Sequence, residues 1–343
     1  MRILSESAIF SLLAKLSPSQ ARDVLTTLAG YLSSLQDGNP AIHQPHRTSI
    51  VTDQGTALFM PVSNSVTTGI KVVSVPRDKP IAGVINLFSP DGKLLGLLGA
   101  AEITAFRTAL ATMTIFVKCS GGRIQREHVV VFGSGRQAEW HARLALLLTT
   151  PGEIKSITFV NRGRARLETL ENQALKDLRG QYPGVSIGTL AQEDNRDYET
   201  ALQTTLAASD VIFSCTPSTQ PNFPYSYLQT SSPPKQRFIG LIGSYKPHMQ
   251  EIDTETLLSG DGVVYVDSKE ACLVEAGELI HARVTPGQLV EIGEVYAGTQ
   301  SVNTTGSVIV KCVGMGIMDL TIAQKVLEVA AEQGLGMQVD DLA

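Results

Sequence analysis

Four consecutive apolar residues, Val129-Val130-Val131-Phe132, run directly into Gly133-Ser134-Gly135-Arg136-Gln137-Ala138, and from Glu139 to Leu148 the spacing turns helical with Leu144, Leu147 and Leu148 on one side. A continuous apolar run that ends in glycine and hands over to a helical period predicts a buried parallel strand turning into a helix. The pattern continues downstream. Strands are expected at Ser156–Val160, Val211–Ser214, Phe238–Ile242 and Val263–Asp267, with a helix over Arg164–Leu178. Strands separated by helices argue for a parallel, doubly wound sheet.

The chain before this stretch reads differently. Ser5–Leu35 predicts two helices parted at Ser17-Pro18, the second with Val24, Leu25, Leu28, Leu32 and Leu35 at helical spacing. From Ile42 to Phe88 the pattern shortens to strands at 49–51, 57–60, 70–75 and 83–88, and Pro90-Asp91-Gly92 forms a hairpin turn before Leu94–Leu98. A long helix, Ala100–Val117, leads to Gly121-Gly122 as the domain boundary, and after a strand at Ser307–Val313 a helix at Leu320–Gln333 closes the chain. The expected fold is α/β: a Rossmann doubly wound domain over 119–311 and a smaller α+β domain built from 1–118 with 312–343.

Composition removes several function classes. The net charge of -5 is spread without runs, which gives no electrostatic footprint for nucleic acid or an anionic membrane. No uninterrupted apolar run reaches membrane-spanning length, and Met1–Leu16 has no basic, apolar leader pattern, so a cytoplasmic protein is expected. Cys119, Cys215, Cys272 and Cys312 stand too far apart for a zinc or disulfide framework; they read as reduced, buried thiols, and no metal is expected.

The glycine stretch carries chemistry. Gly133 permits the tight turn, Gly135 keeps side chains away from a pyrophosphate, and Ala138 allows close helix–strand packing, with the phosphates at the positive end of the helix. Ser134, Arg136 and Gln137 complete the candidate cofactor loop. The second strand ends in Asn161-Arg162-Gly163-Arg164, without the carboxylate that would bind a free ribose 2′-hydroxyl. Two guanidiniums there suit a 2′-phosphate, so NADP(H) is expected over NAD(H), a solvated basic loop being the plainer alternative.

With Gln44-Pro45-His46-Arg47-Thr48, Gly69-Ile70-Lys71-Val72, Ile103 to Ala109, Asp210-Val211-Ile212 and Lys311-Cys312-Val313-Gly314, the chain resembles the ornithine cyclodeaminase and mu-crystallin family along nearly its whole length. The resemblance implies a homodimer whose interface is made by the first domain and the C-terminal helix, with substrate bound between that domain and the nicotinamide. It implies cofactor contacts from the glycine loop, Asn161, Arg162, Thr216, Thr108 and Lys311, and a substrate site of Arg47, Lys71 and Arg107. From the residues alone, Lys71 equally reads as the exposed position of an alternating strand, Arg47 as a solvated loop charge, and Arg107 as a helix cation paired with a carboxylate.

Two departures refine what the resemblance implies. Ornithine cyclodeaminases carry an aspartate where this chain has Tyr245, in Gly243-Ser244-Tyr245-Lys246-Pro247, and a phenol cannot replace that charge at neutral pH. Leu98-Gly99-Ala100-Ala101 stands where the family usually has Asp-Gly. The chain is therefore expected to be closer to the mu-crystallin branch: an NADPH-dependent reductase of a C=N bond in a small cyclic imine or ketimine, with Lys71, Arg47, Arg107 and Tyr245 at the reacting centre. An ornithine cyclodeaminase or opine-type amino-acid dehydrogenase is the rival enzyme, and an NADPH-dependent small-ligand-binding protein the rival of another class.

Overall fold

The computed structural model describes residues 1–36, 38–119, 124–194, 197–229 and 234–340. The chain divides into two compact units, 1–108 with 314–343, and 109–313. The boundary expected at Gly121-Gly122 lies outside the described residues, and the division itself falls within a helix.

In the first unit a short strand β1 (Arg2–Leu4) precedes α1 (Glu6–Leu13), which Ser5 caps. Proline at its first position starts α2 (Pro18–Gln36), which buries Ala21, Val24, Leu25, Leu28 and Leu32. Then come β2 (Thr48–Thr52), β3 (Gly55–Ser63), β4 (Thr68–Pro76), β5 (Ala82–Phe88) and β6 (Leu94–Gly99), leading into α3 (Ala100–Lys118). The start of α3 explains the missing Asp-Gly: the Glu6 carboxylate accepts from Ala101 N at 2.8 Å and Glu102 N at 2.9 Å, so a neighbouring helix caps it.

The second unit runs β7 (His128–Phe132), α4 (Arg136–Leu148), β8 (Ser156–Asn161), α5 (Arg164–Leu170), α6 (Lys176–Gln181), β9 (Ser186–Ala191), α7 (Tyr198–Ala208), β10 (Val211–Ser214) and β11 (Phe238–Leu241). It continues with α8 (Thr254–Leu257), β12 (Val264–Val266), α9 (Lys269–Glu275), α10 (Gly277–His281), β13 (Leu289–Glu291), α11 (Ile292–Tyr296) and β14 (Val308–Lys311). The helix expected over 164–178 is interrupted by a π turn at Glu171–Leu175. The chain then re-enters the first unit as α12 (Gly316–Glu332) and β15 (Met337–Gln338).

In the first unit the strand order is β15-β1-β6-β5-β4-β3-β2, antiparallel except between β1 and β6. Helix α12 packs across β3, β4 and β5 and beside α2. Lys71 sits in β4, an interior strand, opposite Met60 of β3 and Ile85 of β5, and is buried. Strand alternation alone would have allowed it to face water.

The second unit's sheet is parallel throughout, in the order β13-β12-β14-β11-β10-β7-β8-β9. Val130, Phe132, Ile212, Ile239, Leu241, Val264 and Ile309 belong to its core. The chain winds from β7 through β8 to β9 and then returns to β10 on the other side of β7. That reversal is a topological switch point, where a doubly wound sheet opens a crevice at the carboxyl ends of its strands.

Candidate functional site

The glycine loop sits at this switch point, joining β7 to α4. Gly133 has φ +110°, a left-handed backbone that favours glycine, and its N–H donates to Val160 O at 2.8 Å. Gly135 precedes α4, whose N-terminus has no side-chain cap, and a Cβ on Gly135 would meet nothing within 4 Å. A helix N-terminus opened by a glycine beside open space fits an anionic group. Ala138 is buried, as close packing requires. Arg136 reaches Glu139 at 2.7 Å, and the buried His141, which burial lowers to about 4, is held by Gln137 O at 2.7 Å.

Beside the loop lies a cavity of about 330 Å³ lined by Asn161, Arg162, Tyr198, Glu199, Thr216 and Asn222, among others. The residues fit a dinucleotide. Arg162 is exposed and makes no ion pair among the described residues. Arg164 is placed otherwise than the sequence suggested. Its guanidinium lies 3.4 Å from Glu168, 3.2 Å from Glu171 and 3.4 Å from Asp194, so its charge is already matched by carboxylates. Asn161 donates to Gly163 O at 2.9 Å and shapes the turn.

In the first unit, Lys71 and Arg107 meet on a residue the sequence reading missed. Lys71 Nζ lies 2.6 Å from Asp319 Oδ2, and Arg107 Nε lies 3.0 Å from Asp319 Oδ1. All three are buried. Burial lowers Lys71 to about 8; Asp319 opposes the shift, while Arg107 and Arg47 add to it. Asp319 is held below the ordinary carboxylate range, because Arg107 and Lys71 outweigh the effect of its burial. Two cations thus share one carboxylate, with a third cation, Arg47, close enough to be felt.

Helix α12 is what brings Asp319 here. It begins at Gly316, four residues before the Leu320 start read from the pattern, because Gln44 Oε1 accepts from Ile317 N at 2.8 Å and caps it from the loop that carries Arg47. The available signal was a single acid in the apolar run from Gly316 to Ala323, which only burial beside a cation would tolerate. Thr108, expected at the cofactor, is buried and donates to Thr104 O at 2.8 Å.

Lys311 is also placed differently. It is wholly buried, donating to Ser244 O at 2.6 Å and Ser244 Oγ at 2.8 Å, with Glu278 Oε1 at 3.4 Å. Its donors meet the loop after β11 and Glu278 within the protein. Tyr245 in that loop is 38% exposed, with Lys246 Nζ 5.6 Å from its ring centroid. Cys119, Cys272 and Cys312 are buried thiols, whereas Cys215 is only half-buried.

Fold and site together define a two-unit protein with a Rossmann-type half and a buried cation–carboxylate group in the other half. The chain belongs to the ornithine cyclodeaminase/mu-crystallin family, whose model matches residues 18–334. An uncharacterized protein of Saccharomyces cerevisiae is 33% identical over 304 residues, 79% of this chain and 80% of that one. The rat ketimine reductase mu-crystallin is 27% identical, over 71% of this chain and 68% of its own. A delta(1)-pyrroline-2-carboxylate reductase of Bacillus cereus is 27% identical, over 86% and 89%. The Thermococcus litoralis delta(1)-pyrroline-2-carboxylate reductase, solved with NADH and L-proline, superposes with a TM-score of 0.80 at 24% identity, over 99% of this chain and 100% of that one.

Proposed function

We propose that the protein is an NADPH-dependent reductase of a C=N bond in a small cyclic imine or ketimine bearing a carboxylate. The observation that carries this reading is the buried Lys71–Asp319–Arg107 group, whose two cations share one carboxylate. Buried cations gathered on one carboxylate suit an anionic ligand, and an imino acid's carboxylate is one. The names of the Bacillus and rat relatives support the reading, as does the proline bound to the Thermococcus protein.

When bound, the nicotinamide supplies hydride for the imine carbon. Residues 133–138, Asn161, Arg162 and Thr216 hold the cofactor. Arg107 and Arg47 anchor the carboxylate, which fixes the orientation of the ring. Lys71, lowered to about 8, is mostly protonated at pH 7 and gives up its Nζ proton more readily than an ordinary lysine, which suits the nitrogen that must gain one. The preference for NADPH rests on Arg162 and on the absence of a carboxylate at the end of β8. We also propose a homodimer. The sheet face opposite Lys71, which includes Ile50, Phe59, Val72 and Val84, leaves Ile50 51% and Val84 38% exposed.

The test is the fall in NADPH absorbance with Δ1-pyrroline-2-carboxylate and Δ1-piperideine-2-carboxylate, NADH being run in parallel. Turnover favouring NADPH by about tenfold or more is expected. Release of ammonia and proline from ornithine would instead establish a cyclodeaminase, and stoichiometric NADPH binding without reduction of any imine would establish a binding protein.

A further inference from the structure

Two loops leave the carboxyl ends of β10 and β11, and one buried side chain holds both. Glu251 Oε1 accepts from Ser214 Oγ at 2.8 Å, Thr216 N at 2.8 Å and Thr216 Oγ1 at 3.2 Å. Its other oxygen accepts from Gly243 N at 2.6 Å and Ser244 N at 3.2 Å. The loops press together around it. A Cβ on Gly243 would lie 2.0 Å from Thr216 O and 2.6 Å from Glu251 Oε1.

On one side of this clamp, Asn222 donates to Ser214 Oγ and Thr216 Oγ1, both at 2.9 Å, and Thr216 and Asn222 line the 330 Å³ cavity with Arg162. On the other, Lys311 and Glu278 grip Ser244, and Glu278 also accepts from the Ser244 hydroxyl. Every donor aimed at Glu251 is an N–H or O–H, so only a group with two accepting oxygens satisfies the set.

We propose that Glu251 is the positioning residue of the dinucleotide site, its two oxygens fixing Thr216 and the 243–244 backbone in the arrangement that receives cofactor. The inference rests on the reading of the second unit as a dinucleotide site. The groups that bear on its charge are Lys311, Glu278 and the Cys215 thiol. Burial pushes Glu251 up to about 7, Lys311 opposing and Glu278 adding to the shift. A proton taken up there converts an acceptor into a donor facing other donors, so the clamp loosens as pH falls through neutrality.

The experiment titrates the full-length protein with NADPH, following nicotinamide fluorescence from pH 6 to 8. For wild type, Kd is expected to rise as pH falls. Glu251→Gln, which keeps the shape but turns one acceptor into a donor, should raise Kd at pH 8 by about tenfold or more and flatten the pH profile, while KM for the imine at saturating NADPH stays within about twofold. Ser214→Ala, which removes one donor, should raise Kd by about two- to fivefold. A folded Glu251→Gln protein with the wild-type Kd and pH profile would overturn the proposal. Should that variant not fold, a wild-type Kd and profile in Ser214→Ala would do the same. A wild-type protein that binds neither NADPH nor NADH overturns this inference together with the dinucleotide reading, whereas one that binds NADPH tightly but reduces no imine overturns only the reductase.

Discussion

Lys71 and Lys311 are both buried lysines paired with carboxylates, yet their environments drive them apart. Lys311 is held above its ordinary range: burial works against its charge, but Glu278 and Glu251 outweigh it. Lys71 is lowered to about 8 by burial, which Asp319 opposes only in part while Arg107 and Arg47 add to the shift. The difference lies in the count of charges. The Lys311 group carries one cation against two acids and is closed by backbone N–H donors, while Lys71 shares Asp319 with Arg107 and also feels Arg47. A surplus of acid can be absorbed internally, by amide donors and a proton, whereas a surplus of cation needs something from outside. The first arrangement is closed within the protein, and the second is the one we propose as the substrate site.

The largest expected effect is on turnover. Lys71→Ala should lower kcat/KM for the imine by about 10²–10⁴-fold, the usual worth of a positioned proton donor, while NADPH Kd from fluorescence titration stays put. Lys311→Met should do the opposite. It leaves Glu278 buried without its cation, so urea unfolding should register a loss of roughly 3–5 kcal/mol. If the two variants exchanged these phenotypes, the distinction between structure and site would fail.

Stability against pH sharpens the contrast. Lys71 titrates at about 8 in the folded state against 10.5 ordinarily, so between these values the unfolded chain binds more protons and stability rises with pH. Glu251 titrates at about 7 against 4.5, so the folded chain binds more protons and stability falls as pH rises across that window. Each slope amounts to about 3 kcal/mol at most and should vanish separately, the upper in Lys71→Met and the lower in Glu251→Gln. The smallest change is one of selectivity: Arg162→Ala should cut the preference for NADPH over NADH by about tenfold, read as a ratio of Kd values, and leave Arg164→Ala nearer to wild type.

The parallel half of the fold was legible because its strands are buried on both faces and read as unbroken apolar runs, as 129–132, 211–214 and 238–242 do. The glycine loop was legible for the same reason and because only a few residue types suit it. The placement of Lys71 was not, since alternation cannot say which face of β4 a helix from the far end of the chain will cover. The ion pairs of Arg164 were not legible, because a guanidinium in sequence looks the same whether or not Glu168, Glu171 and Asp194 lie beside it. Glu251 left no periodic trace at all: it lies in the irregular stretch between Pro247 and Asp253, and its role comes from two loops that converge on it.

The cap that Gln44 places on α12 joins residues 273 positions apart. On the ribosome, the first hundred residues emerge well before the helix they require. Until Asp319 arrives, Lys71 lacks the carboxylate it is buried with, and burying that cation alone is prohibitive. The second unit is one continuous stretch, yet its sheet also closes late, because β14 (Val308–Lys311) lies between β11 and β12. Topology thus makes both halves wait for the end of the chain: a ribosome-bound intermediate stalled before residue 308 should resist protease in neither half.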